Sequence, residues 1–227
     1  DLHLSIRRQR QMCIRDSTNI DENVGRLFRK LDQLGLRENT IVLYLNDNGP
    51  NSMRYVGNMR GMKTHIDDGG VRSPLVFHWP AQVKARKSSG ILCAHIDLMP
   101  TLLDACDVKI PAKLKIDGRS FLPLLTGDNA PWPKRQVVLQ SHRGNVPQLY
   151  HHFALHEEPW KLVHPTGFGK ESFAGEPKLE LYDLSKDPRQ QNNLAAQRPK
   201  VFQLSLIHIS EPTRLLSIGD GRVGVKK

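Results

Sequence analysis

Cysteine, aromatic residues and long apolar runs are all scarce in this chain of 227 residues. Its three cysteines are an odd number at wide spacing, which argues against a fold built on disulfides. Apolar runs stay far below the ~20 residues that a membrane-spanning helix needs, so we predict no membrane partner. Aromatic residues make up 6% of the sequence and do not interleave with the 33 scattered basic residues, so we also predict no nucleic-acid partner. The net charge of +10 still permits a small anionic partner.

The two ends of the chain differ in character from the middle. Residues 7–17, "RRQRQMCIRDS", and residues 204–214, "LSLIHISEPTR", resemble conceptual translations of the two transposase adapters used in sequencing libraries. We therefore predict that residues 1–17 and 204–227 are non-native, adapter-like tails, and that the native sequence spans residues 18–203.

Helical and apolar strand patterns alternate in the first part of the native sequence. Residues 18–34 repeat apolar side chains at helical spacing, with Thr18 or Asn19 as the cap and Gly35 as the stop. The apolar runs 40–45 and 73–80 are typical of strands buried on both faces, and residues 95–108 again have a helical pattern. The order predicts an α/β fold with a mainly parallel sheet layered with helices.

The pattern changes after about residue 127. Short strand-like runs at 136–141, 151–156, 160–165 and 178–184 are separated by turns rich in Gly, Pro, Asn and Asp. Such runs are typical of a small antiparallel sheet. We therefore predict a small α+β subdomain over residues 129–203, with a closing helix near residue 200.

Polar residues capable of chemistry follow the first apolar run. Asp47 and Asn48 lie where the strand ends, and their oxygens are hard donors suited to Ca²⁺ or Mg²⁺, although Asn-Gly is also a common turn. Lys63 lies between Gly61 and a Gly-Gly pair, in a loop that can fold tightly around an anion. Taken alone, Lys63 would more often be a solvated surface lysine.

Four motifs together resemble the sulfatase family of the alkaline-phosphatase-like superfamily. They are "IDENVGRLFRKLDQLGLRENTIVLYLNDNGP", "MRGMKTHIDDGGVRSPLVFHWP", "HIDLMPTLLDA" and "LELYDLSKDPRQQNNLA". The resemblance implies that Asp47 and Asn48 ligate a divalent cation, usually Ca²⁺, with Mg²⁺ as the other choice. It implies that Lys63 binds the sulfate group of the substrate. The residues that it assigns to shaping and anchoring the loop are Gly49, Gly61, Asp68, Gly69, Gly70 and Arg72.

The chain also departs from the family pattern. Asp68 stands where many members carry Glu, and the shorter carboxylate can make the same structural hydrogen bonds. Within the predicted native residues 18–203, the Cys/Ser-x-Pro-x-Arg motif, whose first residue becomes the formylglycine nucleophile, does not occur. The paired N-terminal aspartates that complete the cation site are not found either. The resemblance therefore implies the C-terminal part of a sulfatase, with residues 18–128 forming the second half of its α/β domain and formylglycine in the other half.

Several further residues are candidate contacts for substrate. His65 lies beside Lys63, and the solvent-facing alternative is equally open. His142 and Arg143 lie in a turn of the predicted C-terminal subdomain, which packs beside the active-site mouth in the family. His151 and His152 could bind a transition metal, but adjacent residues on a strand more often point to opposite faces.

The function that the resemblance implies is hydrolysis of a sulfuric ester, with sulfated carbohydrate as one substrate class. A related phosphodiesterase or phosphonate hydrolase is an alternative, and a non-catalytic binding protein with a degenerate sulfatase fold is another. The resemblance further implies a periplasmic or secreted protein, and no targeting signal is predicted within these residues. This chain alone is expected to be inactive, since its predicted native residues 18–203 lack the nucleophile motif.

Overall fold

A computed structural model describes residues 2–52, 54–84, 90–127, 131–141, 151–164 and 178–203, with side chains from residue 14 onward. Its elements are α1 (Leu2–Gln33), β1 (Val42–Leu45), α2 (Asp68–Val71), β2 (Leu75–His78), the 3₁₀ helix η1 (His95–Asp97), α3 (Leu98–Ala105), α4 (Leu122–Thr126), β3 (Val137–Gln140), β4 (Phe153–Glu157), β5 (Trp160–Val163) and β6 (Glu180–Asp183). None of the described helices is both long and apolar enough to cross a membrane. The predicted α/β fold class is confirmed.

The chain folds into two compact units. The first contains α1, α4 and most of β1 and β2, and the second contains α2, η1, α3 and strands β3 to β6. Both units are assembled from segments that are far apart in the sequence. All of the described candidate site residues belong to the second unit.

Helix α1 begins earlier than the sequence pattern predicts. The predicted cap at Thr18 or Asn19 is wrong, because the helix runs through both residues from Leu2. The Thr18 hydroxyl donates to the Ile14 carbonyl at 2.9 Å, so it folds back on the preceding turn instead of capping a new one. The preceding Arg and Gln residues are good helix formers and allow this continuation.

The predicted stop of α1 at Gly35 is confirmed. Gly35 has φ of +65°, which favours glycine. The Leu36 N–H donates to the Leu31 carbonyl at 2.9 Å and the Gly35 N–H donates to the Asp32 carbonyl at 3.0 Å. These two bonds form a Schellman motif that satisfies the last carbonyls of the helix.

Strands β1 and β2 pair with each other in a two-stranded sheet. The sequence predicts burial on both faces of β1, but Tyr44 and Leu45 are 37% and 42% exposed. The prediction of full burial is therefore wrong for this strand. Among the described residues β1 pairs only with β2, so few neighbours cover its side chains.

The predicted antiparallel sheet is confirmed. Strands β3, β4, β5 and β6 follow one another in sequence order, and each pairs antiparallel with the next. One face packs Phe153, Leu155, Leu162 and Leu181 together, and the other packs Ala154, Val163 and Tyr182 against Ile66. Ile66 comes from the lysine-bearing loop, so the core of the sheet also holds that loop. Residues 199–203 are helical, as the sequence predicts.

A buried carboxylate organises the segment before α3. Asp97 is fully buried, and its carboxylate accepts hydrogen bonds from the Arg119 N–H at 2.9 Å and from Arg135 at 2.6 Å. Its second oxygen accepts from the Ala94 N–H at 2.7 Å. A buried charge is stable only when it is paired and hydrogen-bonded, and Asp97 meets both conditions. The same carboxylate and, above all, burial raise the pKa of Cys93 to about 11.

Candidate active site

The turn that carries Asp47 and Asn48 follows β1 and packs directly on the Gly-Gly pair. Asp47 is exposed and Asn48 is half-buried. The Gly49 N–H donates to the Gly70 carbonyl at 2.7 Å, and a Cβ on Gly49 would lie 1.9 Å from the Gly69 carbonyl oxygen. Only glycine allows the two backbones to approach this closely.

Residues 60–72, which we name the lysine loop, fold back on themselves by a similar close approach. The Gly69 N–H donates to the Arg60 carbonyl at 2.7 Å, and a Cβ at Gly69 would lie 2.6 Å from that oxygen. A Cβ at Gly70 would lie 2.2 Å from the His65 carbonyl, and Gly61 has φ of +92°. Each of these glycines has a steric reason for its position in the loop.

Lys63 stands at the exposed side of the lysine loop. Its backbone N–H donates to the Pro50 carbonyl at 2.9 Å, which ties it to the turn after Asp47 and Asn48. The next residue, Thr64, has φ of +76°, which is unusual for a β-branched side chain. The structure therefore brings the predicted anion ligand and the two predicted cation ligands onto adjoining backbone segments. Their functional roles remain predictions.

Asp68 anchors the lysine loop to the antiparallel sheet. It is 4% exposed, and its carboxylate accepts a hydrogen bond from the Lys161 ammonium at 2.5 Å. Lys161 is fully buried in β5, and burial lowers its pKa while the Asp68 charge opposes that shift. The Asp68 N–H donates to the Gln190 side-chain oxygen at 2.8 Å. Arg72 contributes less, since its side chain is 67% exposed and lies 3.9 Å from Asp68.

A second ion-pair network holds the start of the lysine loop. The Arg60 guanidinium contacts Asp67 at 2.6 Å and Glu180 at 2.5 Å, and it donates to the Tyr182 hydroxyl at 2.6 Å. Burial alone would lower the pKa of Arg60, but the hydrogen bonds to Glu180 and Asp67 outweigh it and raise that pKa. Burial and the hydrogen bond to Glu180 raise the pKa of Tyr182. Both ends of the loop are thus tied to strands of the same sheet.

Two adjacent buried histidines, His151 and His152, lie near His65 of the lysine loop. His151 and His152 are 1% and 2% exposed and precede β4, and His152 has φ of +43°. The expectation that they lie on one strand is therefore wrong. The pKa of His152 is lowered to about 4, first by burial and then by His151, His65 and His164, while Asp67 opposes the shift.

The described part of the chain can supply part of a cation site. The carboxylate of Asp47 and the amide oxygen of Asn48 are hard donors that fit Ca²⁺ or Mg²⁺, which take six or more oxygen ligands. Across the described ranges, no group of three or more His, Cys, Asp or Glu side chains could hold a metal ion. The two residues therefore fit as two members of a larger ligand set. His142 and Arg143 lie outside the described residues.

Sequence reasoning missed Lys161, Arg60 and Gln190. One signal was available for Lys161, because a lysine within the apolar strand "WKLV" requires a buried partner. Arg60 and Gln190 have no apolar run around them in the sequence. The local pattern therefore does not distinguish a residue of a buried polar network from one on the surface.

Comparison with known proteins identifies the family that this chain resembles. A profile described as "N-sulphoglucosamine sulphohydrolase, C-terminal" matches residues 62–207, and one described as "Sulfatase" matches residues 6–108. N-acetylgalactosamine-6-O-sulfatase of Bacteroides thetaiotaomicron is 28% identical over 86% of this chain and 40% of its own length. Human arylsulfatase A is 32% identical over 81% of this chain and 40% of its own length. The chain therefore spans about 40% of these curated relatives.

Solved structures show the same relationship. A sulfatase from a study of glycosaminoglycan metabolism by Bacteroides thetaiotaomicron is 27% identical with a TM-score of 0.67, covering 86% of this chain and 43% of its own. BT4656, in complex with its substrate D-glucosamine-2-N,6-O-disulfate, is 25% identical with a TM-score of 0.66. The match covers 88% of this chain and 39% of the BT4656 chain. This chain belongs to the sulfatase family and corresponds to its C-terminal region.

Proposed function

We propose that this chain supplies one side of the active site of a sulfuric ester hydrolase, with Lys63 binding sulfate and with Asp47 and Asn48 binding a divalent cation. One observation carries the proposal. Two backbone hydrogen bonds, from Gly49 to Gly70 and from Lys63 to Pro50, join the turn after β1 to the lysine loop. They hold the backbone segment that carries the two oxygen donors against the backbone segment that carries the lysine.

The charges at this site suit a sulfuryl group. An exposed lysine ammonium is a compact point charge with three donors, and it can follow a sulfuryl oxygen as negative charge builds during ester cleavage. When bound, Ca²⁺ supplies further positive charge to the same oxygens. Asp47 and Asn48 would supply two oxygen ligands to that ion, and the packed glycines keep side chains out of the space between the two segments.

The nucleophile comes from outside these residues in this proposal. The formylglycine motif of the family does not occur within residues 18–203, so we expect the 227-residue chain by itself to release no sulfate from an ester. In the complete enzyme, Lys63 and the cation ligands act together with that nucleophile.

The proposed substrate class is a sulfated amino sugar. Two relatives are named N-acetylgalactosamine-6-O-sulfatase and N-acetylglucosamine-6-O-sulfatase, and BT4656 was solved with a sulfated glucosamine. These names support a carbohydrate substrate for this chain. A periplasmic or secreted location, where such carbohydrates occur, is part of the same proposal.

The test uses a full-length sulfatase that contains this segment and a 6-O-sulfated N-acetylhexosamine as substrate. Lys63→Ala should lower kcat/KM at least about tenfold, because one contact to transition-state charge is lost. Asp47→Ala should also lower activity, but high calcium should restore part of it, since this variant weakens ion binding. Lys109→Ala, at another exposed lysine, is the matched control.

Three results would contradict the proposal. Lys63→Ala with kcat/KM close to that of the unaltered enzyme would make Lys63 a surface charge only. Asp47→Ala with unchanged calcium dependence would remove Asp47 from the cation site. Turnover of phosphodiesters or phosphonate esters in preference to sulfate esters would favour the related hydrolase instead.

A further inference from the structure

The ion pair between Lys161 and Asp68 is more deeply buried than a surface contact would require. Lys161 is fully buried in the middle of an apolar strand, and Asp68 is 4% exposed. Burying two charges is costly, and the attraction between them repays that cost only when the geometry is good. Here the ammonium and carboxylate lie 2.5 Å apart. The pair therefore holds Asp68 at one fixed place relative to β5.

A second contact fixes Asp68 from another direction. Its backbone N–H donates to the side-chain oxygen of Gln190, which is 1% exposed and has φ of +56°. Lys161 holds the side chain of Asp68 while Gln190 holds its backbone. Asp68 has little freedom left to translate or to rotate.

The path from Asp68 to Lys63 is short and close-packed. The residues after Asp68 are Gly69 and Gly70, whose backbones lie against the carbonyls of Arg60, Met62 and His65. Gly70 also accepts the hydrogen bond from Gly49, which belongs to the turn with the predicted cation ligands. A shift of Asp68 would therefore move both the lysine loop and that turn.

We propose that Lys161 is a positioning residue, which acts through Asp68 to hold the lysine loop in the arrangement that presents Lys63 to the anion. Lys161 touches neither substrate nor cation in this arrangement. The inference rests on the proposed function, in which Lys63 binds the sulfate group. It assigns to a strand of the C-terminal sheet a task in the site, beyond that sheet's own packing.

The test separates positioning from simple structural support. Lys161→Met leaves the Asp68 charge buried without its cation, and such a change can destabilise the whole fold. The double variant Lys161→Met/Asp68→Leu replaces the pair with apolar side chains, a change that often leaves stability intact. Lys186→Met, at a lysine that is 82% exposed and 3.9 Å from Asp183, is the matched control.

The measurement is hydrogen–deuterium exchange of the 227-residue chain, read by mass spectrometry on segments 59–72 and 153–163. In the double variant, exchange in segment 59–72 should become at least about tenfold faster, while segment 153–163 keeps its original rate. The control should change neither segment. Unchanged exchange in segment 59–72 would overturn the proposal, because the glycine contacts alone would then hold the loop. An equal increase in both segments would also overturn it, because the pair would then be a general support of the fold.

A sulfate titration of the unaltered chain keeps the two proposals apart. Added sodium sulfate should slow exchange in segment 59–72 of the unaltered chain and of Lys186→Met, but not in the double variant. Absence of any sulfate effect in the unaltered chain would count against Lys63 as the anion ligand. Faster exchange of the loop in the double variant would still support Lys161 as the residue that positions it.

Discussion

At the scale of single residues, burial decides the charge of several side chains near the lysine loop. His152 and His156 both have their pKa lowered to about 4, in each case first by burial. The neighbouring cation Lys161 adds to the shift at His156, and Asp68 opposes it. Both imidazoles are therefore neutral at physiological pH.

These shifts predict how stability depends on pH. The unfolded chain protonates histidine near its ordinary pKa of about 6.5, whereas the folded chain protonates His152 only near 4. Between those values the unfolded state binds more protons, so the free energy of unfolding should fall as pH drops from about 6.5 to about 4. Thermal unfolding at several pH values across that range measures how steeply stability changes with pH.

The variant His152→Asn tests the assignment, since Asn tolerates the positive φ at this position better than most residues. It should reduce, without abolishing, the pH dependence of the melting temperature between pH 6.5 and 4, because His156 keeps its own lowered pKa. His95→Asn, at an exposed residue, should leave the slope as it was. An unchanged slope in His152→Asn would exclude His152 as its source.

At the scale of elements, two turns need glycine for different reasons. The turn after β1 needs Gly49 because another backbone lies in the space that a side chain would fill. The end of α1 needs Gly35 because of its positive φ, with no atom within 4 Å of the place where a Cβ would lie. One position is limited by contact and the other by backbone conformation.

Gly49→Ala should therefore be costly. Its Cβ would meet the Gly69 carbonyl, so we expect a loss of about 1–3 kcal/mol in the free energy of unfolding. Gly90→Ala is the control, because an added Cβ there would meet no atom within 4 Å, and its effect should stay within about 0.5 kcal/mol. Chemical denaturation of both variants measures the difference. Equal stabilities would mean that the turn and the lysine loop move apart at little cost.

The elements also differ in how well local sequence predicts them. All four strands of the antiparallel sheet were predictable, because short apolar runs between turn residues are a local signal. The start of α1 was not, because Thr18 and Asn19 suit a helix cap and a helix interior with an exposed face alike. The exposure of β1 was not predictable either. Its apolar side chains indicate a buried strand, but burial depends on which other elements pack against it.

At the scale of the whole molecule, the candidate site depends on contacts between distant segments. The positions of Asp47, Asn48 and Lys63 could be predicted as a group only through family resemblance. Local patterns identify the oxygen donors and the glycine-rich loop, but they do not reveal that Lys161 pairs with Asp68. Such a pairing depends on how the sheet folds against the loop, which local spacing does not encode.

The predicted tails give a test at the same scale. If residues 1–17 and 204–227 are adapter-derived, a chain of residues 18–203 should unfold within about 2 °C of the 227-residue chain, since no evolved contact is removed. Differential scanning calorimetry of the two chains measures this. A chain that also lacks residues 18–36 is the contrasting control. Its melting temperature should be lower, because the Phe28 ring packs edge-on against the His78 ring with 5.0 Å between the ring centroids. A large loss from the first truncation alone would mean that the tails belong to the fold.

The contacts that Asp68 makes with Lys161 and Gln190 also have a consequence for how the protein is made. Asp68 precedes Lys161 by 93 positions and Gln190 by 122. At a synthesis rate of roughly 5–20 residues per second, the ribosome delivers Lys161 about 5 to 20 s after Asp68. During that interval the nascent chain already has the glycines and Lys63 but lacks Lys161, the buried partner of the Asp68 carboxylate. The proposed anion site is therefore completed late, when β5 and the segment after β6 have left the ribosome.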